Sequence, residues 1–581
     1  MATTTREVIT LQLGHYANYV GTHWWNIQES SFEYDPSKVS GPSEINHDVL
    51  YREGKNLNGQ VTFTPRLILW DLKGSLHCLK KEGTLYDFRI KNRPTEWHGN
   101  VTVKKKPKIE KNEFLKDIEK QEECYHVPSE YEEMETESAE NSKEMETLEE
   151  INKREETDGN EECNSGDKIY NLDDSTEVWS DFLNIHLHPK TINIINDYTH
   201  KSEEQPFDVF GCGYETMSGT DIWAEMEDRL HYFTEECDML QGFQILVDAH
   251  NAFTGAASSV LEYLQDEFSS KSLLTFGLSP TNFANTDRSG HHVINAALCY
   301  YQLPMQSSLF VPLSLSTSGW PSTSTSSPVY RKFPHVNYKP HLDYHGSAIL
   351  AASLDTCTLP YRLRDKQTHM KDISHSFNSM SRKVAALCST IPFPLGEDSS
   401  LIESLMQMGD QVPWTSISPY VNTETKPWMT STTLRGIPNS MTKSDNISAE
   451  FAPLLSQCNT RDDVLKLYLS ETMPSSLNAG CSVSSPCHLA SSFPHIFTPN
   501  ITSQGFISTM LRPPLQAVST VPAMSSLQST KDSGEMVGML YEEAKKVNLK
   551  RFHRFLAAGL EEDEFKECLN ELANLSENYC E

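Results

Sequence analysis

Apolar positions along the chain alternate between two periods, and the alternation predicts an α/β fold. Phe243–Val247 is a short continuous apolar run, the pattern of a strand buried on both faces of a parallel sheet. From Ala256 the period changes: Val260, Leu261, Leu264 and Phe268 recur at helical spacing. The same exchange opens the chain. Arg6–Gly14 reads as a strand ending in a turn glycine, and His15–Glu29 as a helix with Tyr16, Tyr19, Val20, His23, Trp24 and Ile27 towards one side. Leu67–Leu69 centre another strand, Asp221–Asp238 reads as a helix, Leu273–Leu278 as the next parallel strand and Val293–Tyr301 as the helix after it. Strands alternating with helices in this way imply a mostly parallel sheet covered by helices.

The pattern weakens in the second half. A smaller α/β unit is expected to begin near His345-Gly-Ser-Ala-Ile-Leu350. Residues 395–450 and 471–533 are rich in Ser, Thr and Pro and carry little periodicity, so helix Arg461–Tyr468 is the one element expected between them. Order returns at the C-terminus, where Val537, Leu540, Ala544 and Val547, then Phe552, Phe555 and Leu556, then Phe565, Cys568, Leu569, Leu572 and Leu575 define three helix faces. The expected division is 1–90 and 176–313 as two parts of one sheet domain, separated by a largely disordered insertion at 91–175. A flexible Ser/Thr/Pro-rich linker follows at 314–340, then the smaller domain at 341–470, a Ser/Pro-rich loop region at 471–533 and C-terminal helices at 534–581.

Charge sharpens this picture in one place. Of the formal net charge of −31, Glu130–Glu162 carries −12, with fifteen acids against three bases and Tyr131 its only aromatic. Such a composition predicts a solvated loop, as does the basic cluster Lys104-Lys-Lys-Pro-Lys108 before it. An acidic chain disfavours nucleic acid as a partner. Thirteen cysteines without a Cys-x-x-Cys fit a reducing compartment. No apolar run approaches the ~18 residues of a spanning helix, and the start shows no basic region followed by an apolar run. Membrane association, where it occurs, is therefore expected to be peripheral.

The candidate chemistry lies between strand and helix. Asp248–Gly255 is a strand-to-helix loop, where open α/β sheets seat phosphates against a helix N-terminus. Phosphate loops need several glycines for close backbone approach. Here the loop is His250-Asn-Ala-Phe-Thr254, with Gly255 its only glycine. No Walker A, His-Glu-x-x-His or Gly-x-Ser-x-Gly sequence occurs. His186-Leu-His188 sets two imidazoles at strand spacing, with no nearby Cys/His partners.

Several segments together resemble the tubulin superfamily: Arg6-Glu7 with Gln12, Gly14, Asn18 and Gly21; Pro65-Arg66 with Asp71-Leu72; Glu236-Cys-Asp238; Leu240-Gln-Gly-Phe-Gln244; and Asp266-Glu-Phe268. The chain departs from that pattern at the loops. His15 stands at the family's phosphate-contacting glutamine, Ala17 at a glycine, and Lys73 at the acidic residue that helps hold magnesium. Phe210-Gly-Cys-Gly213 resembles the start of another nucleotide loop, but continues Tyr214-Glu215. Within the superfamily, Leu11–His15 with Trp24-Trp25, Thr64–Leu76, Val178–Leu183 and Leu240–Leu246 are similar to the misato branch. The resemblance implies a tubulin-like fold with an intermediate domain and C-terminal helices packed across both domains. It implies a non-enzymatic protein of the cytoplasm and mitochondrial outer membrane, acting in mitochondrial distribution, morphology and fusion through outer-membrane or cytoskeletal proteins. Neither metal nor cofactor is expected. The alternative is a GTP-binding tubulin relative acting on microtubules or the spindle, through a remnant pocket of Gly14, His15, Asn18, Asp71, Thr254 and Gly255.

Overall fold

The computed structural model describes residues 5–32, 43–55, 61–83, 109–125, 168–283, 289–321, 329–378, 381–409, 411–442 and 458–580, with Gly59 and Leu85. Six parallel strands form the first sheet: β1 (Val8–Leu13), β2 (Leu67–Lys73), β3 (Ile192–Thr199), β4 (Gly242–Asp248), β5 (Ser272–Leu278) and β6 (Leu309–Leu313). Their spatial order is β3-β2-β1-β4-β5-β6. β1, β4, β5 and β6 are buried at every position, as strands covered on both faces of a parallel sheet are. The order reverses between β1 and β4. In doubly wound sheets that reversal opens the ligand crevice beyond the strand C-termini.

Helix α1 (His15–Glu29) follows β1 and is buried from Tyr16 to Gln28, well beyond the single apolar stripe of its sequence. α2 (Glu113–Tyr125) lies inside the expected insertion. There Phe114, 2 % exposed, meets Tyr170 edge-on with ring centroids 5.3 Å apart. Within the expected insertion at 91–175, one apolar anchor thus docks a helix; most of that stretch, Glu130–Glu162 included, lies outside the described residues. α3 (Phe210–Met217) and α4 (Thr220–Glu235) precede β4, and α5 (Phe253–Glu267) and α6 (Ser289–Gln306) follow β4 and β5.

α7 (Asp343–Thr358) is buried along nearly its whole length between α1 on one side and the second sheet on the other. After it come α8 (Met370–Phe377), strand β7 (Ala386–Thr390), α9 (Leu401–Gln407), β8 (Thr415–Ser416) and β9 (Met429–Arg435). α10 (Arg461–Thr472), β10 (Leu477–Val483) and β11 (Ala523–Ser529) complete this unit. Its sheet runs β8-β7-β11-β9-β10, parallel only between β9 and β10.

Among the described residues this corrects the expected loop region 471–533, and it places regular elements in 395–450, where the sequence carries little periodicity. 395–450 contains α9 and β9, and 471–533 contains β10 and the central, fully buried β11. The signal was hidden because β11, Ala-Met-Ser-Ser-Leu-Gln-Ser, buries hydroxyls. Ser526 pairs with Thr432 at 2.8 Å, Ser525 with Ser389 at 3.1 Å, and the Ser525 hydroxyl reaches Ser353 O at 3.1 Å. Satisfied in pairs, such groups are buried without the apolar alternation that marks a strand. The expected linker is also packed where described: Leu315, Trp320 and Phe333 are buried, and residues 322–328 lie outside the described set.

The C-terminal helices α11 (Lys531–Lys545), α12 (His553–Ala557) and α13 (Glu562–Glu577) span both units as expected. α11 and α13 pack on α6, while the Tyr579 hydroxyl donates to Val384 O at 2.7 Å and Asp532 accepts from Asn422 N at 2.7 Å.

Candidate functional site at the strand-order reversal

The crevice between the C-terminal ends of β1 and β4 is bounded by two loops. The first is a single residue: Gly14, at φ 119°, turns β1 directly into α1. A Cβ there would lie 2.3 Å from the Asp248 Cγ. Gly14 thus makes room for a protein carboxylate. Asp248 is the last residue of β4, and its Oδ1 accepts from the Ala17 N–H at 2.7 Å. Its Oδ2 accepts from Tyr16 N at 3.4 Å and from Asn251 Nδ2 at 2.9 Å. α1 has no acidic residue in its own first turn and no side-chain cap. Asp248 supplies that cap from the neighbouring strand, placing an anion on the helix N-terminus, where orphan N–H groups and the helix dipole favour one. Burial pushes the Asp248 carboxyl up to about 6, although its N–H donors favour the charged form.

The β4–α5 loop closes on itself. Thr254 Oγ1 donates to Asp248 O at 2.8 Å, and Asn251 Oδ1 accepts from Phe253 N at 2.9 Å. Gly255 faces away from the crevice, towards α3: a Cβ there would sit 1.9 Å from Phe210 O. A Cβ on Gly213 would sit 1.7 Å from Ala252 O. Phe210-Gly-Cys-Gly213, expected as a loop start, is instead the first turn of α3, and its glycine lets α3 and α5 meet backbone to backbone.

Asp71, fully buried in β2, forms the second centre. Its Oδ2 accepts from Trp179 Nε1 at 2.8 Å and Asn18 Nδ2 at 3.1 Å, and lies 3.1 Å from His15 Nδ1. Its Oδ1 accepts from Leu72 N at 2.7 Å. Desolvation works to raise this carboxyl, but His15 and the N–H donors hold it below the usual carboxylate range. The His200 ring lies against that of His15, tilted by 35°, with centroids 3.8 Å apart.

The structure thus brings Gly14, His15, Asn18 and Asp71 around one crevice, with Thr254 on its floor and Gly255 outside it. Sequence reasoning missed Asp248, Trp179 and His200 as members. Asp248 carried a signal, as the residue ending the apolar run; His200 carried none, because only the β2–β3 pairing sets it there. Lys73 is exposed at the end of β2. His186 is exposed and outside any strand, and His188 stacks on Tyr232 with centroids 5.1 Å apart. A cleft of about 740 Å³ lies elsewhere, lined by Asp197, Tyr198, Glu215, Asp221 and Arg554.

Comparison with known proteins agrees with this architecture. A family model described as Misato Segment II tubulin-like domain matches residues 6–120, and one described as Tubulin domain matches residues 171–363. Protein misato homolog 1 of Danio rerio is 37 % identical over all of this chain and 98 % of its own length. Protein misato homolog 1 of Homo sapiens is 35 % identical over all of this chain and 99 % of its own. Protein misato of Drosophila melanogaster is 30 % identical over 99 % of each.

Proposed function

The chain belongs to the misato family of tubulin-like proteins, and from that membership we propose that it acts without nucleotide turnover, as a contact surface regulating mitochondrial distribution, morphology and fusion. Its place is the cytoplasm and the outer face of the mitochondrial outer membrane, reached by peripheral association with outer-membrane or cytoskeletal proteins. Peripheral attachment fits the described residues, among which no helix is long and apolar enough to cross a membrane.

One observation carries the non-enzymatic half of this reading: the Asp248 carboxylate sits on the Ala17 N–H, at the helix N-terminus where a phosphate would be held. Two unit negative charges ~4 Å apart near a protein surface repel by about 4 kcal/mol, or roughly three decades of affinity. The retained residues do not counter this. Gly14 accommodates Asp248, Gly255 accommodates α3, and Asn18 is spent on Asp71 and Trp70 O. The mitochondrial half rests on the resemblance of the segments around Trp24-Trp25, Thr64–Leu76 and Val178–Leu183.

Titration of the purified chain with GTP and magnesium tests the first half. Neither micromolar binding nor magnesium-dependent turnover is expected. Micromolar affinity with turnover would overturn it and favour a GTP-binding tubulin relative acting on microtubules or the spindle. Depletion and re-expression in cells test the second half: loss should alter the mitochondrial network and re-expression restore it. An unaltered network would sink that assignment.

A further inference from the structure

His200 reaches the strand-end crevice through a slip in the β2–β3 ladder. The register shifts between Leu72 and Lys73, so that Lys73 faces Thr199, and the His200 N–H then donates to Lys73 O at 2.8 Å. Slips of this kind re-aim the side chain that follows. Here the result is an imidazole set against that of His15 at a tilt of 35°, with a buried Nε2 that has no hydrogen-bond partner. A buried polar atom left unmatched calls for a ligand. The ligand atoms of His15, Asp71 and His200 all lie within 4.8 Å of one another.

We propose that His15, Asp71 and His200 bind a divalent transition-metal ion of zinc-like preference. His15 Nδ1 and Asp71 Oδ2 are already 3.1 Å apart. An ion ~2.0 Å from each would subtend an angle of about 100° between them, inside the range of four- to six-coordinate sites. The ion takes the place of the proton between these two atoms, and His15 carries its proton on Nε2 instead. Neither atom has to move; His200 closes the third position. Trp179 Nε1 and Asn18 Nδ2 hold the carboxylate in place, as outer partners of metal ligands do. His15 is 18 % exposed, so the outer side of the site admits water as a further ligand. Two imidazoles and one carboxylate select zinc or cobalt over magnesium, which takes oxygen ligands and keeps its waters. This assignment depends on neither the nucleotide nor the organelle reading above.

The test uses the full chain, stripped with a chelator and titrated with Zn²⁺ and with Co²⁺. One equivalent is expected to bind, undisturbed by excess Mg²⁺. The cobalt form should show visible ligand-field absorption without the thiolate charge-transfer band that any of the thirteen cysteines would add. His15→Ala and His200→Ala should each weaken Zn²⁺ at least tenfold. Trp179→Phe, which keeps a ring and loses the N–H, should weaken it about tenfold. Circular dichroism identifies any variant that has failed to fold, and His200, only partly buried, is the position least liable to that. Absence of saturable binding, a thiolate band, or unchanged affinity in folded His200→Ala would overturn the assignment.

Discussion

At the scale of single residues, Asp248 sets the chemistry of the crevice. A buried carboxyl carried from 3.8 to about 6 means that the fold binds its proton more tightly than the unfolded chain does. Its contribution to stability is therefore complete below about pH 4 and is lost as pH rises through about 6, by roughly 3 kcal/mol in all. Asp248→Asn removes this titration. The stability of that variant relative to the parent should rise by up to about 3 kcal/mol between pH 4 and pH 7. Denaturant unfolding of the two proteins across that range measures the slope, and parallel pH profiles would refute the role given to Asp248.

At the scale of elements, helix packing explains glycines that a motif reading assigns to phosphate. α3 and α5 touch through Gly213 and Gly255, where an added Cβ would enter the van der Waals radius of a main-chain oxygen that no rotamer change can move. Gly255→Ala and Gly213→Ala should each destabilise by about 3 kcal/mol, the upper range for overpacking. Gly538→Ala is the control, because its Cβ meets only the Ser576 hydroxyl, at 3.0 Å. Equal midpoints in denaturant for Gly255→Ala and the parent would contradict the contact. The elements themselves divide sharply in legibility. β1, β4 and β5 with α1, α5 and the C-terminal helices were readable because apolar residues fill both faces of a strand or one stripe of a helix. β9 and β11 were not readable, because their buried faces carry Ser and Thr whose partners lie on other strands, and β10 was not, because it is an edge strand buried only at Val483.

At the scale of the whole molecule, one buried charge cluster ties the two sheets together. Asp355 on α7 pairs with Arg362 at 2.8 Å and with Arg435 at the end of β9, all three being 1–2 % exposed. Arg362 Nη1 also donates to Gln28 Oε1 on α1 at 2.7 Å, and Arg435 Nε to Ser485 O at 3.1 Å. Burial works to raise the Asp355 carboxyl, and the two guanidiniums hold it below the usual range. A depressed carboxyl contributes stability that is present above its unfolded value and lost as pH falls through the folded one. Asp355→Asn leaves two buried cations under-compensated and should cost about 3–5 kcal/mol near neutral pH. The loss should shrink only as pH falls below about 3.8, through the depressed folded value, and unfolding curves at pH 7 and below pH 3 would show whether it does.

The chain's local pattern by itself determined the alternation of strand and helix, the loop positions at which a ligand would sit in such a sheet, and the scarcity of glycine in the β4–α5 loop. Those properties follow from period and backbone conformation, which neighbours along the chain impose. Only the tertiary structure decided what fills the crevice. Asp248, Trp179 and His200 arrive at Ala17, Asp71 and His15 from positions remote in sequence, because strand order and a slip in register put them there. Contacts of that kind depend on how strands lie beside one another, and no periodicity along the chain encodes them.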